Sequence, residues 1–197
     1  TSDYVEGLVK TARVVVAEIN RQAPFTSALV DADDVDVAVR TDRPVLTLAR
    51  STPSPVDQTV AANVASLVED GATLQLGLGS LADCIADMLL DRRDLGLHSG
   101  LIGDGAMRLI QSGGITNPAK PLDRGLSVTG TLLGSKDLLD FAHLNPSIEV
   151  RPIAETHALS KLAALPRFTA INSALEVDLS GQANTEMAGG RYVGAIG

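Results

Sequence analysis

Residues 71–90 read Gly71-Ala72-Thr73-Leu74-Gln75-Leu76-Gly77-Leu78-Gly79-Ser80-Leu81-Ala82-Asp83-Cys84-Ile85-Ala86-Asp87-Met88-Leu89-Leu90. The short apolar run from Thr73 to Gly77 predicts a buried strand. Ser80 to Leu90 predicts a helix with Ser80 as its cap and Asp83 in its first turn, where oxygen acceptors meet unpaired N–H groups. Between them, Gly77-Leu78-Gly79 lets the backbone turn sharply and approach a ligand. A strand passing into a helix through such a turn is the unit of a parallel sheet covered by helices.

The alternation extends in both directions. Downstream, strands are expected over Leu95–Ser99, Leu126–Leu133, Ser147–Ile153 and Phe168–Asn172. The intervening helices run from an Asp104 cap to Gly113, from a Ser135 cap to about Leu144, and over Leu159–Leu165. A hairpin, Leu175–Asn184, turns at Ser180-Gly181. Upstream, Ser54, Pro55 and Asp57 carry helix-start chemistry, Gly71 stops that helix, and Val56, Val60, Val64, Leu67 and Val68 recur on one face. Further back, Ala12–Ile19, Val35–Val39 and Val45–Leu48 read as strands, with turn chemistry at Thr41-Asp42-Arg43-Pro44. The fold class is α/β, with a mostly parallel sheet flanked by helices. Ser51-Thr52-Pro53-Ser54-Pro55 is the most linker-like stretch and the expected domain boundary.

Composition agrees with this class. Hydrophobic residues make up 45% of the 197, charged residues 20% and aromatics 3%, so aliphatic side chains must fill the core. The formal net charge of −8 argues against nucleic acid, whose phosphates need a basic stripe. It leaves room for an anionic small ligand bound by backbone N–H groups. A single cysteine, Cys84, excludes an intrachain disulfide and a cysteine-rich metal site. No apolar run approaches the ~18 residues of a membrane span, so no membrane partner is expected. The first residues lack a signal pattern, and a cytoplasmic location is the expectation. The absence of an initial methionine and the Gly194-Ala195-Ile196-Gly197 end lead us to expect a piece of a longer chain.

In an open α/β sheet, ligands bind beyond the carboxyl ends of the strands. Leu76-Gly77-Leu78-Gly79-Ser80-Leu81-Ala82 is therefore the leading candidate site. It also fits the GxGxxA dinucleotide pattern, but the acidic residue wanted some twenty positions later is replaced by Leu97-His98-Ser99-Gly100. A tight turn without a ligand remains open from the pattern alone. Gly189-Gly190-Arg191-Tyr192-Val193-Gly194 suits either an anion nest or a surface loop. Ala170-Ile171-Asn172-Ser173-Ala174 is a strand end with an amide and a hydroxyl. His98, His143 and His157 lack metal-ligand spacing, so no metal site is expected. Cys84 reads as a buried, inert thiol, and Asp31, Asp33, Asp34 and Asp36 as a solvated loop face.

Taken together, several segments resemble the acetyl-CoA hydrolase and 4-hydroxybutyrate/acetate CoA-transferase family. They are 71–79, Asp94-Leu95-Gly96-Leu97-His98, Ile102-Gly103-Asp104-Gly105, Arg151-Pro152 and Ala170-Ile171-Asn172-Ser173-Ala174-Leu175-Glu176-Val177-Asp178-Leu179-Ser180-Gly181-Gln182. The resemblance implies a CoA-transferase-like layered fold of two related α/β domains. Residues 1–50 would be the tail of the first domain, 51–55 the linker and 56–197 the truncated second domain. It implies CoA binding at Gly77, Leu78, Gly79, Ser80 and Leu81, with Ile171, Asn172 and Gly194 lining the same site. Coenzyme A or an acyl-CoA would be the substrate rather than a permanent cofactor, a small carboxylate the acceptor, and the assembly a homodimer.

The resemblance breaks at one position. The family carries a His-Thr-Glu type sequence whose glutamate attacks the thioester. Here the stretch is His98-Ser99-Gly100, and glycine cannot take that role. The catalytic residue is thus unassigned, with His98, Glu155 and His157 as candidate general bases. An acyl-CoA hydrolase or transferase variant is one reading. A non-catalytic CoA-binding module or partner subunit is another, and an unrelated α/β or dinucleotide-binding domain a third.

Overall fold

A computed structural model describes residues 2–27, 30–49 and 52–194. Five parallel strands form its central sheet: β3 (Thr73–Leu76), β4 (Gly96–Ile102), β5 (Ser127–Leu132), β6 (Ile148–Val150) and β7 (Phe168–Ile171). Their order is β6-β5-β4-β3-β7. The chain winds outward from β3 to β6 and then returns to place β7 on β3's other side. The loops after β3 and β7 therefore diverge, which makes a crevice between them.

Helices α2 (Pro55–Ser66), α3 (Ser80–Met88), α4 (Asp104–Gln111) and α5 (Lys136–Ala142) pack side by side in that order. The short helix α6 (Ile153–Thr156) packs on β4 and β5, and α7 (Leu159–Ala164) follows it. Leu74, Leu97, Ile102 and Val128 are wholly buried strand residues, joined in the core by Ala61, Leu89, Leu109 and Leu138 from the helical side. The expected mostly parallel α/β architecture is what the chain adopts.

Several local expectations need correction. Of Ala12–Ile19 only the part from Val16 is strand, as β1 (Val16–Asn20); Ala12 caps a preceding helix α1 (Val5–Thr11) that the sequence reading lacks. The Glu6–Lys10 ion pair one turn apart supports that helix. Strand β2 spans Val37–Thr41, parallel to β1 in a separate two-stranded sheet. Val45–Leu48 forms no strand; Leu46 is exposed, and the Leu48 N–H donates to the Gly134 carbonyl. The face expected to bury α2 holds only in part: Val68 is buried and Val64 packs against the core, but Leu67 is exposed. Val56 is 70% exposed, whereas Ala61 and Ala65 are buried, because small side chains let α2 approach α3 closely. Ser51, within the expected linker, lies outside the described residues.

Helix starts follow a relay of carboxylates rather than the two expected caps. Ser80 and Asp104 are first helical residues; Gly79 and Gly103 hold the cap positions. Asp83 in α3 accepts the Gly105 N–H of α4 at 2.7 Å. Asp104 in α4 in turn accepts the Ser135 hydroxyl at 2.6 Å and the Ser135 N–H at 3.0 Å, at the start of α5. At α2 the expected capping does form: Ser54 and Asp57 exchange side-chain-to-backbone bonds at 3.1 and 2.8 Å. Ser54→Ala is expected to cost about 1 kcal/mol of stability, read from urea unfolding.

Candidate functional site

Strand β3 ends at Leu76, and its register places four residues level across the sheet. Leu76 pairs with Ile171, so Gly77 lies level with Asn172. Leu74 pairs with Leu97, which brings Gly77 level with Gly100 on β4. Ser99 and Leu101 pair with Thr129 and Thr131, so Gly100 faces Gly130 on β5. The β3–β4 backbone ladder stops at Leu74. Beyond it the Ser99 hydroxyl bridges the strands, accepting from Leu76 N at 3.3 Å and donating to Leu76 O at 3.1 Å. A row of glycines, just past β3 and in the carboxyl-terminal halves of the neighbouring β4 and β5, contributes no side chains of its own.

Three crevices meet at Gly77 and Leu78. The first, about 300 Å³, lies between α2, α3 and the β3 and β7 ends, with Val60, Val64, Leu81, Ile171 and Asn172 among its walls. A second runs from Gly77 over Asn172 to Leu175, Thr185 and Gly194. The third is bounded by Gly79, Asp83, Gly103, Asp104 and Gly134. Gly79 has φ +114° and forms the N-cap of α3 without a side-chain cap bond among the described residues. The first N–H groups of α3 are thus presented where the crevices join. Asn172 and Gln75 exchange amide hydrogen bonds at 3.0 and 3.2 Å, which ties the β7 end to β3.

The candidate binding residues Gly77, Leu78, Leu81, Ile171 and Asn172 converge on these walls, and Gly194 joins them in the second crevice. Gly79 lines the third. Ser80 occupies the first position of α3 and is partly exposed. Val60 and Val64 escaped the sequence reading as wall residues, because their helical spacing reads equally as a core face. The third crevice is acidic, and burial raises the Asp83 carboxyl above the usual aspartate value.

The candidate bases part company. His98 is buried and its Nε2 donates to the Thr156 carbonyl at 2.9 Å, so its Nδ1 carries the lone pair. Burial first, and the Lys120 cation second, hold it below the ordinary histidine value. Its role is to pin α6 to β4. Glu155 is bonded to Lys161 at 2.7 Å, and that bond lowers its carboxyl below the usual range. His157 is exposed, and its ring lies on Gly100: Cε1 and Nε2 stand 2.8 and 3.2 Å from where a Cβ at position 100 would be. Sequence spacing could not reveal that contact. His143 accepts the Phe25 N–H, and Cys84 is buried, with its thiol raised by burial.

Among the described residues, no group of three or more His, Cys, Asp and Glu side chains could hold a metal ion, and no helix is long and apolar enough to cross a membrane. Residues 134–197 match the acetyl-CoA hydrolase/transferase C-terminal domain family. The whole chain is 34% identical to a 4-hydroxybutyrate coenzyme A transferase of Clostridium kluyveri, of which it covers 46%. Among solved structures, a 4-hydroxybutyrate CoA-transferase from Porphyromonas gingivalis superposes with a TM-score of 0.85 at 36% identity, over 93% of this chain and 47% of that one. RipA from Yersinia pestis superposes with a TM-score of 0.89 at 31% identity, over 94% and 44%. The chain therefore spans about half the length of the relatives it matches.

Proposed function

Because this chain belongs to the acetyl-CoA hydrolase/transferase family, we propose that it forms part of an enzyme acting on a small acyl-CoA thioester. CoA docks where the three crevices meet, at Gly77 and Leu78, and the acyl end lies along the glycine row toward Gly100. The observation that carries this reading is the convergence of glycine backbone, an uncapped α3 N-terminus and an apolar wall at one point. The helix N-terminus favours an anionic phosphate, and the Val60–Val64–Leu81 wall suits an aliphatic arm.

Position 100 sets the chemistry. With no carboxylate there, thioester cleavage proceeds by water, and hydrolysis exceeds acyl transfer to free acids. Backbone donors at the strand ends stabilise the developing oxyanion; such donors are worth ~3 kcal/mol. A second reading, CoA binding without turnover, draws on the same absent side chain.

Residues 1–50 belong, in this reading, to a preceding domain. The β1–β2 pair supports it, since Val16, Ile19, Val37 and Val39 are about half exposed and a lone parallel pair does not bury itself. A cytoplasmic homodimer completes the proposal, favoured by exposed Val56, Leu67 and Leu159.

Gly77→Val tests the docking site. A Cβ at Gly77 would meet only ordinary contacts, 3.7 Å to Ile171 O and 3.8 Å to Asn172 Oδ1, so the fold should tolerate it. Its methyl groups would fill the crevice mouth. CoA affinity by calorimetry is expected to fall about tenfold or more. Unchanged affinity would remove this crevice as the CoA site.

A further inference from the structure

We propose that His157, whose ring lies over Gly100 in the space that a side chain at position 100 would fill, is the catalytic base of this site, taking a proton from a water beside that ring. The proposal rests on the CoA-thioester reading and adds the group that performs the cleavage.

The geometry behind it begins at Gly100. Glycine there admits the imidazole in this position, because a Cβ would stand 2.8 Å from His157 Cε1 and 3.2 Å from Nε2 and would push the ring aside. The absence of a side chain on β4 and the presence of a ring in its place are one arrangement. The ring comes from a different element, the end of α6, so the two positions are linked in space and not in sequence.

The ring is also held. Its backbone N–H donates to Ile153 O at 2.9 Å, the last bond of α6. Its Nδ1 is 2.9 Å from the hydroxyl of Thr156, itself buried. Thr156 is fixed in turn, because its carbonyl accepts from His98 Nε2 on β4. His98 stands two residues before Gly100 and so points to the same face of the sheet. The chain His98–Thr156–His157 thus runs from β4 to α6 and back onto β4. When Nδ1–H is donated to the Thr156 hydroxyl, Nε2 carries the lone pair at Gly100. That is the tautomer a general base requires. His157 remains exposed, so water reaches it.

A neighbouring carboxylate enters the same space. The main-chain N–H groups of Ser2 and Asp3 donate to Gly130 O at 2.9 and 3.2 Å, and Asp3 Oδ1 stands 3.3 Å from a Cβ position at Gly130. Asp3 is the rival base, and the test must separate the two.

In the step itself, Nε2 accepts a proton from water as the water oxygen bonds to the thioester carbonyl carbon. The C–S bond then breaks, and the CoA sulfur leaves with the proton returned by the imidazolium. The products are a free carboxylic acid, which ionises in solution, and CoA thiol. No covalent bond to the protein forms.

The experiment measures steady-state hydrolysis of a short-chain acyl-CoA panel by the full-length protein and by its His157→Ala, His157→Gln and Asp3→Asn variants, with CoA affinity by calorimetry. The two His157 variants are expected to lose about a hundredfold in kcat with KM and CoA affinity little changed. Added imidazole should restore part of the His157→Ala rate, since removing the ring uncovers Gly100. A merely space-filling ring would give no such rescue. Retained kcat in His157→Gln, or a loss appearing in Asp3→Asn instead, overturns the proposal and leaves the CoA reading standing. So does CoA binding without cleavage by the unsubstituted protein. Failure to bind CoA at all overturns the CoA reading as well.

Discussion

A Gly100→Glu substitution in the full-length protein is expected to raise acyl transfer between CoA and free carboxylates by about a hundredfold or more, while hydrolysis falls. A carboxylate at this position attacks the thioester carbonyl, releases CoA thiolate and leaves an acyl anhydride on the protein. CoA thiolate then attacks the glutamyl carbonyl and expels the first acid as its carboxylate. A second carboxylate attacks that glutamyl thioester, and the released thiolate takes the new acyl group from the resulting anhydride, freeing the glutamate. Splitting one hard step into two easier ones is the advantage that the unsubstituted site forgoes. The new side chain displaces the His157 ring, whose Cε1 stands 2.8 Å from the Cβ position. That ring is the far end of an exposed side chain, so it can swing outward without disturbing β4. The same movement removes the base from the water, which is why hydrolysis and transfer should change in opposite directions. Hydroxylamine or borohydride trapping followed by peptide mapping checks the adduct at position 100. Robust ping-pong transfer and a trapped acyl group in the unsubstituted protein would instead place the nucleophile elsewhere.

Much of the sheet is legible because its strands are short, largely apolar or β-branched runs closed by turns. Thr73–Gly77 was expected and Thr73–Leu76 forms; Phe168–Asn172 was expected and Phe168–Ile171 forms. Buried parallel strands announce themselves in this way, since both faces must be apolar. The N-terminal part was less legible. There the helix Val5–Thr11 is short and mixes valines with Glu6 and Lys10, so it carries no clear periodicity, and the β-branched run after it gives the strand too early a start. At the site, the glycine turn could be read directly, because a backbone requirement is written in residue type. The wall formed by Val60 and Val64 could not, since a valine at helical spacing serves a core or a crevice equally. His157 is a candidate base from the sequence, but its contact with Gly100 is beyond reach for another reason. The residue caps a helix of four residues, too few for any periodicity, and meets Gly100 only in three dimensions, where the His98–Thr156 bond helps hold α6 on β4.

Lys120 offers the second large effect, and it lies in a segment that reads as an ordinary loop, Asn117-Pro118-Ala119-Lys120-Pro121. A lysine there should be solvated, yet its side chain is only 2% exposed. Its methylenes run beside Gly96, where an added Cβ would come within 3.3 Å, and its amine donates to Leu97 O at 3.0 Å and Leu126 O at 2.7 Å. A neutral amine has two N–H groups for these two carbonyls. Burial accordingly lowers its pKa from 10.5 to about 8; Asp123 and Glu149 pull the value up and Arg151 pushes it down. Below pH 8 both folded and unfolded chains hold the proton, and this group adds no slope to stability. Between 8 and 10.5 the unfolded chain binds more protons, so stability rises with pH, and above 10.5 it levels off. Lys120→Ala removes the packed stem and both hydrogen bonds, and is expected to cost about 3 kcal/mol at pH 7. The gap to the unsubstituted protein should then widen by up to about 3 kcal/mol across that window, the worth of the pKa difference. Urea unfolding of both proteins at pH 7, 8.5 and 10 measures it. A gap that stays constant, or narrows, would mean that Lys120 keeps its ordinary basicity and that the two carbonyls hold an ammonium across the whole window.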